Sequence, residues 1–183
     1  MRSLAQTAEV GPMATYKLFG SKHELLNALS ELDVEKFKQR LAHFPTDRPL
    51  DDVFDVLDVA KALYTEETVF YKGLFKAAFD SQNPSMADVF SSSRVALWRI
   101  MLDDCVAAGC LDKTINTSAM ARNILYIYGG SIQRWVRDEV DLNRLYAEVR
   151  FGLASALMSF VTEAERELMR ARFDAAAKAL ADS

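Results

Sequence analysis

An all-α fold is predicted by three features of the sequence. Apolar residues recur at helical spacing along most of the chain, sustained period-two alternation is absent, and the seven glycines and four prolines of the 183 residues fall mostly between the periodic runs. Half of the residues are hydrophobic, enough to bury a substantial core, and the length suits one or two domains.

Residues 2–8 hold only helix formers or tolerators, with Leu4, Ala5 and Ala8 on one side. Gly11-Pro12 then supplies a flexible residue and a helix-starting proline, so a short second helix runs to Gly20. The spacing is that of a helix-turn-helix. Ser21, followed three residues later by Glu24, matches a capping box that opens a long helix to about residue 42, with Leu25, Leu29, Leu32, Phe37 and Leu41 as its core stripe. Two prolines within 43–49 turn the chain. The next helix starts near Pro49, places Asp51 and Asp52 in its first turn where the helix dipole favours them, and reaches Tyr64 or Thr65.

A heavily aromatic helix follows at 68–79, and Asn83-Pro84 caps another that ends at Gly109. Further helices are predicted from Asn116 or Thr117 to Asp138 and over 141–161. Thr162 and Glu165 form a second capping-box pattern opening a terminal helix to about Leu180.

Within the short second helix, about 100° per residue puts Thr15, Tyr16 and Phe19 on one side and Met13, Ala14, Lys17 and Leu18 on the other. One face can pack while the other reads a partner. Val10, the Tyr16 and Phe19 pair, Ser21-Lys22 and Leu25-Leu26 together resemble the DNA-binding signature of the TetR (tetracycline-repressor-type) family of bacterial transcriptional regulators. The resemblance is carried by roughly the first twenty-six residues; the remainder shares the all-helical plan. Glu9 stands where the turn usually has glycine, and Gly11 where a capping serine usually follows the valine. Family members carry one more helix ahead of this pair, for which the chain leaves no room before Met1, so an incomplete head is expected.

The resemblance implies a DNA-binding remnant at 1–22 and a helical effector-binding and dimerisation domain at 23–183. DNA contacts are expected from Pro12, Met13, Ala14, Tyr16, Lys17 and Lys22. Lys17 is the strong donor of the reading face, so specificity would lean on DNA shape, while Tyr16, Lys22 and the helix start after Ser21 suit phosphate contacts. It also implies a cavity for a small hydrophobic or aromatic effector, for which Phe54, Leu57, Tyr64, Phe75, Phe79, Trp98, Met101 and Tyr126 are candidates. For any one of them, plain core is the commoner role.

Gly129-Gly130 sits inside a predicted helix at a cost of roughly 1 kcal/mol per glycine relative to alanine. Close approach of another helix, or room for a ligand, would offset it. A four-helix homodimer seam, which the resemblance also implies, is expected to use Tyr128, Ser131, Trp135, Val149, Leu153, Leu157 and Phe160, unless that seam is filled within one chain.

Other functions find little support. Residues 1–24 carry a net +1 and the remainder −5, an asymmetry too small to argue alone for polyanion binding. Cys105 and Cys110 have the wrong number and spacing for a zinc site and read as reduced thiols of a cytoplasmic protein. No apolar run approaches the roughly 18 residues of a membrane span, and the N-terminus lacks a signal-peptide pattern. His23 and His43 stand in unlike surroundings, and no nucleophile-and-base set, metal cluster or phosphate loop is present, so neither enzyme chemistry nor a cofactor is expected. The expected function is a homodimeric repressor that binds double-stranded operator DNA and is released by its effector. The alternative is a helical dimer module that binds a ligand or protein without binding DNA.

Overall fold

The computed structural model describes residues 20–41, 48–79 and 85–182, with the backbone alone described at 22, 23, 26, 30 and 85–92. The predicted helix-turn-helix at 2–19 lies outside the described residues. Seven α-helices follow in order: α1 (Lys22–Leu41), α2 (Pro49–Glu66), α3 (Thr68–Ala78), α4 (Ser85–Ala107), α5 (Thr117–Val136), α6 (Leu142–Leu157) and α7 (Arg166–Ala181), the last preceded by a 3-10 turn at Glu163–Glu165. Among the described residues there is no strand, only an isolated bridge between Leu111 and Val161.

The helix starts follow local chemistry. Gly20 has φ +65, and the Ser21 hydroxyl oxygen accepts the Glu24 backbone N–H at 3.1 Å. Pro49 opens α2 with Asp51 and Asp52 in the first turn. Asn116 accepts from the Ala119 N–H at 2.9 Å and Asp141 from the Arg144 N–H at 2.8 Å, each satisfying a donor that the helix itself leaves unpaired.

Two expectations are corrected between α6 and α7. The helix predicted to reach Val161 ends at Leu157, because the following segment pairs with the turn after α4: Asp112 N–H donates to the Phe160 carbonyl at 2.7 Å and Thr162 N–H to the Cys110 carbonyl at 3.1 Å. Thr162 does not cap with its side chain; its hydroxyl donates to the Gly109 carbonyl at 3.0 Å, and the chain enters α7 through the 3-10 turn. A tertiary acceptor has taken the group that the local pattern assigned to a cap.

α2 lies at the centre and packs against α1, α3, α4 and α6, while α5 bridges α4 and α6, and α6 packs on α7. Its apolar stripe, including Leu50, Val53, Phe54, Leu57 and Leu63, joins residues of α3 to α7 in one core cluster. Burying such side chains contributes about 1.5–3 kcal/mol each before chain entropy is subtracted. Ion pairs then hold the periphery to α2: Arg40 of α1 with Glu66 at 2.6 Å, Arg150 of α6 with Asp58 at 2.5 Å, and Arg172 of α7 with Asp51 at 2.5 Å.

Candidate effector cavity

The helical plan leaves two adjoining spaces on the α5 side of α2. The inner one, about 50 Å³, is lined by Asp33, Val34 and Phe37 of α1, by Leu57 and Tyr64 among others of α2, and by Trp98 of α4. The outer one, a cleft of about 330 Å³, lies between Phe75 and Phe79 of α3 and the Tyr126, Gly129 and Gly130 stretch of α5. Arg94, Leu125 and Tyr128 line both.

Apolar atoms dominate these walls, and their polar groups are few and specific. Arg94 donates to Asp33 at 2.5 Å across the α4 and α1 boundary, with side chains only 16% and 9% exposed. The hydroxyls of Tyr128 and Tyr146 lie 3.1 Å apart, and Tyr64 sits beside them in the core. Burial pushes all three phenols well above their ordinary range, so they stay neutral and serve as hydrogen-bonding groups rather than acids. Tyr71 is raised as well, by burial first and then by the negative charge of Asp33.

Six of the eight effector candidates reach these spaces. Leu57, Tyr64 and Trp98 line the inner cavity, and Phe75, Phe79 and Tyr126 the outer cleft, where Tyr126 is 75% exposed at the rim. Two do not. Phe54 is buried under the Arg172 guanidinium, 4.4 Å from its ring centre, on the α7 side, and Met101 is buried in the main core. Asp33, Phe37, Arg94 and Leu125 were not anticipated, because nothing local in the sequence links positions that meet only when α1, α4 and α5 assemble.

No neighbouring helix of the chain accounts for the glycine pair. A Cβ at Gly129 or Gly130 would meet nothing within 4 Å, and both border the cleft. The close helix approach occurs at Gly152 of α6, where a Cβ would fall 2.6 Å from Ile127 Cγ2 of α5.

The residues expected at a dimer seam are largely enclosed by their own chain. Val149, Leu153 and Leu157 are fully buried, Trp135 is stacked on Tyr64, and Tyr128 lines both cavities. Ser131 is buried with its hydroxyl donating to Glu148 at 3.1 Å, and Phe160 is half-buried with its carbonyl bound to Asp112. Within the chain, these side chains pack mainly against its own helices. The expected DNA contacts Pro12, Met13, Ala14, Tyr16 and Lys17 lie outside the described residues, as does the side chain of Lys22, whose backbone starts α1.

Among the described residues, no group of His, Cys, Asp or Glu side chains could hold a metal ion, and no helix is long and apolar enough to cross a membrane.

No protein-family model matches the chain, and no curated protein matches it. Among solved structures it is similar to a crystal structure of a candidate TetR-family transcriptional regulator from Syntrophomonas wolfei, with a TM-score of 0.71, 15% identity, and coverage of 85% of this chain and 83% of that one. The chain has a TetR-like, all-α fold.

Proposed function

We propose that this TetR-like chain is a DNA-binding transcriptional regulator, acting as a repressor that a small, mostly apolar effector releases from its operator. The observation that carries the reading is the position of α1. This helix is entered directly from the segment bearing the DNA-binding signature, and its Asp33, Val34 and Phe37 form one wall of the inner cavity. A molecule that fills the cavity acts on the same helix that carries the head, so effector and DNA affinities become reciprocally coupled.

On this reading Met13, Ala14, Lys17 and neighbouring residues enter the major groove, Tyr16 and Lys22 contact phosphates, and two copies read half-sites about 34–36 Å apart. The copies would meet through side chains other than Trp135, Val149, Leu153 and Leu157, which are occupied inside the chain.

Fluorescence polarisation with DNA from upstream of the chain's own gene, at two salt concentrations, tests the proposal. Salt-sensitive, sequence-selective binding by the 183-residue chain or by one extended at its N-terminus is expected. Absence of binding by both would overturn it in favour of a dimer module that binds a ligand without DNA.

A further inference from the structure

We propose that the cavity selects an apolar molecule ending in a carboxylate, and that this carboxylate replaces Asp33 on Arg94 and so releases α1. The inference rests on the effector reading above and names the ligand class and the contact through which it acts.

Arg94 is the charged residue common to both spaces, and Asp33 is the other charged residue in the wall of the inner one. Their pair is nearly enclosed. Such a pair returns little net stability over an apolar pair of similar volume, because removing both charges from water offsets most of their attraction. Packing alone does not require it there. What the pair does provide is a strong anion-binding group, matched by an acid that sits on a different helix.

The direction of approach sets the ligand class. A molecule entering through the outer cleft passes Phe79 and Tyr126, lies over the open backbone at Gly129 and Gly130, and meets Arg94 at the junction with the inner cavity. A guanidinium presents a planar fork of donors suited to a carboxylate, and Asp33 Oδ2 takes one of them from Arg94 Nη2. Exchanging one carboxylate for another leaves the arginine neutralised throughout. A neutral alcohol cannot replace that charge, and an amine is repelled by it.

The consequence falls on α1. Near its C-terminal end the helix is tied to α2 by both Arg40 contacts with Glu66, at 2.6 and 3.1 Å, and Lys36 lies 3.7 Å from Glu67. Asp33 is the tie one to two turns nearer the end that leads to the head. Once displaced, its carboxylate keeps only the Tyr71 hydroxyl of α3 as a partner and must regain water, which moves the N-terminal part of α1 outward about the Arg40 end.

The test titrates 4-phenylbutyrate, 4-phenylbutanol and 4-phenylbutylamine into the full chain and into D33N and R94Q, following tryptophan fluorescence in the Trp135→Phe background, which leaves Trp98 as the reporter, and amide hydrogen exchange in residues 22–41. The butyrate is expected to bind at least about tenfold tighter than the alcohol or amine, and tighter again by about tenfold in D33N, where its competitor has lost its charge. It alone should speed exchange in α1, and R94Q should lose the preference. D33N keeps the test decisive if R94Q does not fold. Equal binding of acid and alcohol, or weaker acid binding by D33N, would overturn the inference and leave the effector cavity standing. Binding of none of the three by either the natural chain or D33N would overturn the cavity reading and the inference with it.

Discussion

The indole of Trp135 lies nearly parallel to the ring of Tyr64, with centroids 5.7 Å apart and an interplanar angle of 11°. This stack joins α5 to the central helix α2, and Lys72 of α3 sits 5.3 Å from the centre of the same indole. Trp135→Ala is expected to lower stability by about 3–5 kcal/mol, as for other buried aromatic truncations. Because both rings belong to one chain, that penalty should be the same in urea melts at widely different protein concentrations. A penalty that grows with dilution would place the indole at a contact between copies instead.

The glycines of α5 and α6 should respond in opposite directions. Gly129→Ala adds a Cβ into open space within a helix and should stabilise the fold by about 0.4–1 kcal/mol, chiefly by restricting the unfolded chain. Gly152→Ala drives a Cβ against Ile127 Cγ2, on a β-branched side chain with little rotameric freedom in a helix, and should cost about 1–3 kcal/mol. Thermal melts of the two variants check the sign. If the cleft beside Gly129 holds the effector, the stabilised variant should also bind it less well.

The thiols give a pH-dependent outcome. Burial pushes Cys105 up to about 12 and raises Cys110 as well, the first also feeling the neighbouring thiol. The folded chain therefore holds these protons more tightly than the unfolded chain, whose thiols titrate near about 8.5. Their contribution to stability is complete below that value and is lost as pH rises toward about 12. Urea midpoints should fall between pH 8 and 10, and fall less in Cys105→Ala. Alkylation of the native chain at pH 8 should be slower than that of the unfolded chain by roughly a hundredfold or more.

The tie between α1 and α2 should weaken in acid. The hydrogen bond from Arg40 holds the Glu66 carboxyl below its usual range, so this contact is fully present above the ordinary carboxylate range and is lost as pH falls through the lowered value. Both side chains are solvent-exposed, so the effect on global stability is small. Glu66→Gln is expected to speed amide exchange in the last turn of α1 at neutral pH, and the natural chain should approach that behaviour only in acid. Equal exchange in both at neutral pH would show that the contact does not hold the helix end.

The order of the described helices and most of their starts were legible in the sequence because their causes are local. Pro49, Asn116 and Asp141 set helix starts through groups within three residues, and Gly20 adopts the positive φ that suits a residue without a side chain. The apolar stripe of α2 was legible for the same reason, since periodicity decides which of its faces is buried, whereas Leu32 of the expected α1 stripe is exposed and Asp33 and Val34 are buried instead. Where a residue's partner lay far along the chain, local reading failed. Thr162 carried a capping pattern, yet its hydroxyl went to Gly109, a choice open only once the turn after α4 lay beside it.

The candidate site divides along the same line. Sequence alone determined that the chain is all-α, that its aromatic residues cluster in the middle helices, and that a signature resembling a DNA-reading head leads into the helix at Ser21. Tertiary structure decided which large side chains line the candidate effector spaces, separating Tyr64 and Trp98 from Phe54 and Met101. It also brought Asp33 and Arg94 together across 61 positions, and left the helix surface at Gly129 open while closing it at Gly152. The physical reason is that helix formation depends on neighbours a few residues apart, whereas a cavity and its charges depend on how whole helices pack, which no local spacing encodes.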